Sequence, residues 1–297
     1  MLLFCSIPSQ YPLIAAPHQV LAQSTRFLSP SIGVGVSFEW IYDLPDIGVA
    51  LLFGIAGACL LAGAPFLREK VLRIRVPSAH SEATGKALAM VTSFTGVVLA
   101  FSLVQATGNL RNLETRVATE AHNINQIDRL FLRYGDPATS ALRGALHDYA
   151  NSIVVDEWPE LHTGRPSKQT TALFPPISRG VLAIEAPPGR QSLIYAEILK
   201  KIDEIAADRE ARVAAASKLK LPSIYWETIF ALLAILLLLA TFSECTFGGA
   251  VALGCQGFGL ALLVAIVFIF DTPFKGQTSV SPEPIVTIIA EMQARKE

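Results

Sequence analysis

Hydrophobic and polar positions divide this chain into four long apolar runs and one long polar segment. The last run, residues 247–270, carries no charge. As a helix rising about 1.5 Å per residue, it is long enough to cross a hydrocarbon core of about 30 Å. Its closing stretch, Leu260 to Phe270, is continuously apolar, a pattern that a half-exposed soluble helix does not show. Three further runs predict spans at 44–67, 87–107 and 224–242. Asp43 and Asp46 open the first, where a helix N-terminus favours negative charge. Tyr225 and Trp226 stand at the entrance to the third, where amphipathic aromatics anchor at the membrane surface. The fourth begins with Gly248, Ala252, Gly254, Gly257 and Gly259, small residues that predict close helix packing.

The second span is the most polar, with Thr92, Ser93, Thr95, Ser102, Gln105 and Thr107 among its apolar residues. Two readings follow. Its hydroxyls can bond to backbone inside a bundle, or the helix can line a pore. In the second case Phe94 and Phe101, one heptad apart, form a hydrophobic constriction with Val98 and Gln105.

The polar segment, 109–221, reads as an all-helical extramembrane domain. Leu113, Val117, Ala121, Ile124, Ile127 and Phe131 recur at helical spacing, and Pro137 breaks the chain after them. Leu142, Leu146, Tyr149 and Ile153 mark a second helix, and Ile194, Ile198, Ile202 and Ile205 a third. Six prolines between Pro159 and Pro188 predict an extended loop. Residues 1–43, interrupted by Pro8, Pro12, Pro17 and Pro30, are expected to be a flexible leader; with no Lys or Arg before Arg26 they do not read as a signal peptide. The spans group as 44–108 and 222–271, and 272–297 forms a tail with a short helix. The fold class is an all-α integral membrane protein with four transmembrane helices.

Composition narrows the function classes. The chain is 52% hydrophobic and only 16% charged, against about a quarter charged in soluble domains. A net charge of -1 argues against a nucleic-acid partner. Cys5, Cys59, Cys245 and Cys255 form no CxxC or Cys/His cluster, so no metal site is expected, and small buried thiols are. No nucleophile elbow, phosphate loop, dinucleotide fingerprint or zinc helix is present, so neither an enzyme nor a cofactor is expected. His80 and Glu82, two apart, read as part of a solvated turn rather than a facing pair. Asp156 and Glu157 read as an acidic helix end with Trp158 packed into the domain.

In that order, several motifs add up. The His80-Ser-Glu82-x-x-Gly85 stretch precedes the second span; Glu120-Ala121 opens the helical domain, Glu157-Trp158-Pro lies within it, and Asp271-Thr-Pro273-Phe274-x-Gly276 follows the fourth span. Together they resemble the bestrophin-like family of multi-pass membrane proteins, over roughly 44–289. The layout is also similar to that of the bestrophin ion channels, in which the second span lines a pentameric pore and a Pro-Phe-Gly follows the fourth. The acidic calcium-binding run of the animal channels is replaced here by Gln277-Thr-Ser-Val-Ser, so calcium gating is not implied. Phe94 and Phe101 also depart from the four-residue spacing of the animal channels' neck. The resemblance implies a homo-oligomer, a pentamer in the channels, in a bacterial-type plasma membrane. The function implied is an oligomeric ion channel; the alternative is a non-conducting anchor whose helical domain binds a partner or senses a ligand. Orientation stays open: Arg68, Lys70, Arg73 and Arg75 favour a cytoplasmic first connection, and the resemblance implies the reverse.

Overall fold

The computed structural model describes residues 38–72, 78–217 and 221–295. Most of the leader, Arg73, Arg75, and the side chain of His80 lie outside the described residues. Residues 38–43, assigned above to the leader, form a 3-10 helix at Phe38–Asp43. There Tyr42 stacks on Phe268, and the Lys275 ammonium sits 4.8 Å from the Tyr42 ring centre.

Among the described residues, four helices are long and apolar enough to cross a membrane. The first, α1, is Asp46–Leu67, with Asp46 in its first turn. The second, α2, is Ser78–Tyr134, one uninterrupted helix about 85 Å long at about 1.5 Å per residue. The change from apolar to polar composition near residue 108 therefore does not end the helix. No proline or left-handed glycine lies between 78 and 134 to break it. One buried face also continues across the change: Leu99, Ala106, Leu110, Leu113, Val117, Ala121 and Ile124 are all buried. The His80–Gly85 stretch is thus helical rather than a turn, and Glu82 pairs with Lys86 one turn on, with both side chains exposed.

Beyond Gly135, at φ 76°, α3 spans Pro137–Ser152, capped by Asp136, whose carboxylate accepts from Ala138 N at 2.7 Å. A π-helical turn, Ile153–Glu157, carries α3 directly into α4, Trp158–His162. Pro159 has no N–H to give, and the wider turn accommodates that loss. The proline-rich stretch is not an extended loop: α5 spans Lys168–Leu182 with Pro175 and Pro176 inside it. Ser167 caps that helix, and full burial of Ile177 and Val181 outweighs the proline penalty. Helix α6 is Arg190–Ser217.

In the bundle, α7, Ser223–Thr241, and α8, Phe247–Asp271, reverse direction through a short turn whose Thr246 caps α8. Helices α1 and α8 cross closely. A Cβ on Gly57 would lie 2.6 Å from the Gly257 carbonyl oxygen and 2.5 Å from the Ala261 methyl carbon. Gly254 faces Ala62, while Gly248 and Gly259 face open space, so only part of the small-residue run is used for packing. Cys59 and Cys255 are exposed on the bundle rather than buried as expected; they and Cys245 are free.

The tail is not separate from the domain. Phe274, Val280 and, on α9 (Glu283–Ala294), Ile285, Ile288 and Met292 belong to the same hydrophobic core as α2, α3 and α6. Arg295, which ends α9, and Arg143 on α3 grip the buried Asp128 carboxylate from its two oxygens, at 2.9 and 2.8 Å.

Candidate functional site

Two features stand out: an uncovered face of α2, and a buried charge cluster inside the helical domain. On α2, some of the hydroxyls turn inward. Thr95 and Ser102 are fully buried and donate to the carbonyls of Val91 and Val98, both at 2.8 Å. Thr92 donates to Leu88 O and accepts from Gln256 of α8. The opposite face is apolar and bare. Phe94 and Phe101 are 64% and 67% exposed, and Met90, Val97 and Val104 are exposed beside them. Gln105 is also exposed, its amide donating to Asn109 Oδ1 at 3.1 Å. Val98 is half-buried at the edge of this face and packs against the bundle core. The same side of the helix stays exposed beyond the apolar run at Asn112, Thr115 and Thr119.

The charge cluster gathers residues distant in sequence. Arg212 of α6 donates to both Glu120 oxygens, at 2.9 and 3.1 Å, and to Glu157 at 2.8 Å; all three side chains are fully buried. Arg209, one turn earlier, closes on Glu157 at 2.5 Å and reaches Thr171 at 2.8 Å. Two carboxylates thus meet two guanidiniums. Bidentate geometry of this kind suits arginine rather than lysine. The Arg212 guanidinium also lies 5.4 Å from the Trp158 ring centre, and Trp158 packs edge-on against Phe274 at 5.8 Å.

Ionisation follows from this burial. Glu120 lies about 20 Å along α2 beyond Thr107, the end of the expected span. Burial raises its pKa despite the opposing Arg212 charge. Burial and then the Glu120 charge push the Tyr149 phenol well above its usual value. Arg212 feels burial most, which acts to lower its pKa, but Glu120 and Glu157 together hold it above the ordinary guanidinium value.

A second junction lies at the end of α8. Asp271 accepts from Leu221 N at 2.8 Å and from the Trp226 indole N–H at 3.0 Å, one bond to each oxygen. That carboxylate ties the start of α7 to the end of α8. Pro273 is buried, and its carbonyl accepts from Val280 N at 2.8 Å. Gly276 takes φ 80°, which favours glycine, and its neighbour Thr278 donates to Asp46 at the start of α1.

Of the motif residues, Glu120, Glu157, Trp158 and Phe274 come together in one cluster, and Asp271, Pro273 and Gly276 build the adjoining turn. Glu82 and Gly85 lie apart at the start of α2, Gly85 facing open space. Sequence reasoning missed Arg209 and Arg212 entirely, and read Glu157 as part of an acidic helix end rather than as a member of a buried ion cluster. Their signal was present: 209 and 212 sit at i, i+3 on the face of α6 that carries Ile198, Ile202 and Ile205.

A family model described as the Bestrophin-like domain matches residues 54–285. No curated protein matches. Among solved structures, a mutant of a bacterial bestrophin homolog from Klebsiella pneumoniae aligns at TM-score 0.53 and 15% identity. That alignment covers 84% of this chain and 99% of the other. Another structure of the Klebsiella pneumoniae homolog aligns at TM-score 0.51 and 15% identity, over 84% and 97%. At such identity these alignments describe the fold.

Proposed function

Because the chain belongs to the bestrophin-like family, we propose that it assembles into a homo-oligomeric ion channel with α2 as the pore wall. The observation carrying this reading is the bare face of α2. Phe94, Phe101, Asn112 and Thr119 follow one another at spacings of seven, eleven and seven residues, close to whole turns of a 3.6-residue helix. Lipid accounts for an exposed Phe101, and water for the same face continuing, polar, beyond the apolar run; what supports an axis is that both lie on one stripe. A shared axis between copies accounts for both. Along it Phe94 and Phe101 would constrict the path, with Val98 at the flank and Gln105 at the polar end.

A second reading is a non-conducting anchor whose helical domain binds a partner. The inward hydroxyls of Thr95 and Ser102 favour it, because a helix that is merely packed also spends its polar groups on its own backbone.

Subunit number by native mass and ion flux in liposomes separate the two. The channel reading expects a closed ring, five-fold by the resemblance, and flux that rises in Phe101→Ala. A monomer, or a ring without flux in either protein, sinks it.

A further inference from the structure

We propose that Arg68 and the first turn of α8 form a site for the phosphate of one membrane phospholipid. Helices α1 and α8 run antiparallel in a close register: Gly54 meets Phe258, Gly57 meets Gly257, and Ala62 meets Gly254. In that register position 68 is level with the first turn of α8, which begins at Phe247. Gly54, Gly57, Leu61, Ala64 and Arg68 follow one another at spacings of three and four, so Arg68 lies on the face of α1 that α8 covers. The helical domain joins α7 at its start and α8 at its end. Arg68 and the α7–α8 turn therefore sit at the opposite end of the bundle, at the other membrane surface.

Two observations there call for an anion. Arg68 is only 7% exposed, yet its Nε and Nη1 are buried with no acceptor. A buried guanidinium is costly unless an anion meets it. Its sequence neighbour Glu69 engages the Cys245 thiol instead. Burial and that bond push the thiol pKa up, and the Arg68 charge opposes them, which sets the guanidinium beside the α7–α8 turn. The other charges close in sequence, Lys70 and Glu244, are exposed to water. Two acids have side chains outside the described residues, and neither is within reach. Glu39 precedes α1, a 22-residue helix about 33 Å long. Glu297 follows Arg295, which is bound to Asp128 in the helical domain. The second observation is the start of α8. Thr246 caps the Gly249 amide at 3.1 Å, while the Phe247 and Gly248 amides have no acceptor among the described residues. Such a helix start favours phosphate, and Gly248 faces open space, which leaves room for one. Phe66, Leu67 and Phe247 are exposed around it, an apolar rim that suits acyl chains and makes the phosphate a lipid's. The inference does not depend on ion conduction.

The test uses the full chain in nonionic detergent with palmitoyl-oleoyl phosphatidylglycerol, or with palmitoyl-oleoyl glycerol, which has the same tails and no phosphate. Native mass spectrometry counts lipid per chain, and the thermal midpoint is read with each. One phosphatidylglycerol per chain should be retained, with about tenfold preference over the phosphate-free lipid, the size expected for one charge-assisted hydrogen bond. It should also raise the midpoint. Arg68→Met should lose the preference, yet match or exceed the wild-type midpoint without lipid, because the charge it removes has no protein partner. Gly248→Asp, which sets a carboxylate in the open space, should lose the preference at an undiminished midpoint; Gly248→Ala should change neither. Equal retention of the two lipids by the wild type, or a preference that survives Arg68→Met, overturns the assignment. So does a lipid-free midpoint that falls in Arg68→Met, since the protein would then already neutralise that charge. Inorganic phosphate that displaces the lipid and raises the midpoint as much would make the ligand a free anion, and overturns the lipid.

Discussion

Arg212 and Glu120, on helices that meet only through the fold, form a two-point ion pair of 2.9 and 3.1 Å that is fully buried. Glu157 sits on the same guanidinium and is itself covered by Arg209. Removing one charge from such a group leaves its partner buried without compensation, at a cost of about 3–5 kcal/mol. Arg212→Met should therefore lower the apparent thermal midpoint on the order of 10 °C. Glu120→Leu combined with Arg212→Met leaves Glu157 with Arg209, one charge of each sign, and should recover most of that loss. A double variant as unstable as Arg212→Met would mean that shape, not charge balance, dominates there.

The same pair predicts a pH dependence. Burial, opposed by Arg212, raises the Glu120 pKa above its unfolded value. The folded state therefore binds this proton more tightly than the unfolded state does. Stability from this group is fully present below the ordinary carboxylate value and is lost as pH rises through the raised one. Thermal midpoints of wild type and Glu120→Gln measured across that window should diverge, the wild type falling relative to the variant as pH rises. Parallel curves would assign the dependence to other acids, Asp208 among them, whose pKa burial also raises.

Gly57 and Gly257 fix how closely α1 and α8 approach. A Cβ at 57 would press on the Gly257 carbonyl oxygen and the Ala261 methyl carbon, neither of which is a flexible side-chain end. Gly57→Ala should cost about 1–3 kcal/mol through overpacking, seen as a lower midpoint and faster protease cleavage in the 243–246 turn. Gly63→Ala, facing open space on the same helix, is the control and should change neither.

Much of this was legible in the sequence, because hydropathy reports where lipid must be. Four spans, an all-helical segment between the second and third, and the packing of Trp158 follow from local pattern. What was not legible depended on distant partners. Pro175 and Pro176 read as loop residues, since nothing local reveals that Ile177 and Val181 will be buried. The apparent boundary near Asn109 is a change of composition, and a helix responds to backbone continuity rather than to composition alone. Glu157 read only as an acidic helix end because its arginines are more than fifty residues away.

Asp271 offers the sharpest separation between shape and hydrogen bonding. Its two oxygens serve the Leu221 amide and the Trp226 indole, so they join α7, α8 and the end of the helical domain at one point. With both oxygens engaged by protein donors, this acid is also poorly placed to serve as a calcium ligand. Asp271→Asn keeps one acceptor and the volume, and should leave one donor without a good partner. Asp271→Leu strands both donors, at about 1–3 kcal/mol each. The midpoints should therefore fall in the order wild type, Asn, Leu, with Trp226 fluorescence shifting to the red as the indole loses its fixed position. If Asp271→Leu kept the wild-type emission and midpoint, the carboxylate would not be what joins these helices, and the Pro273-Phe274 packing beneath it would have to do so.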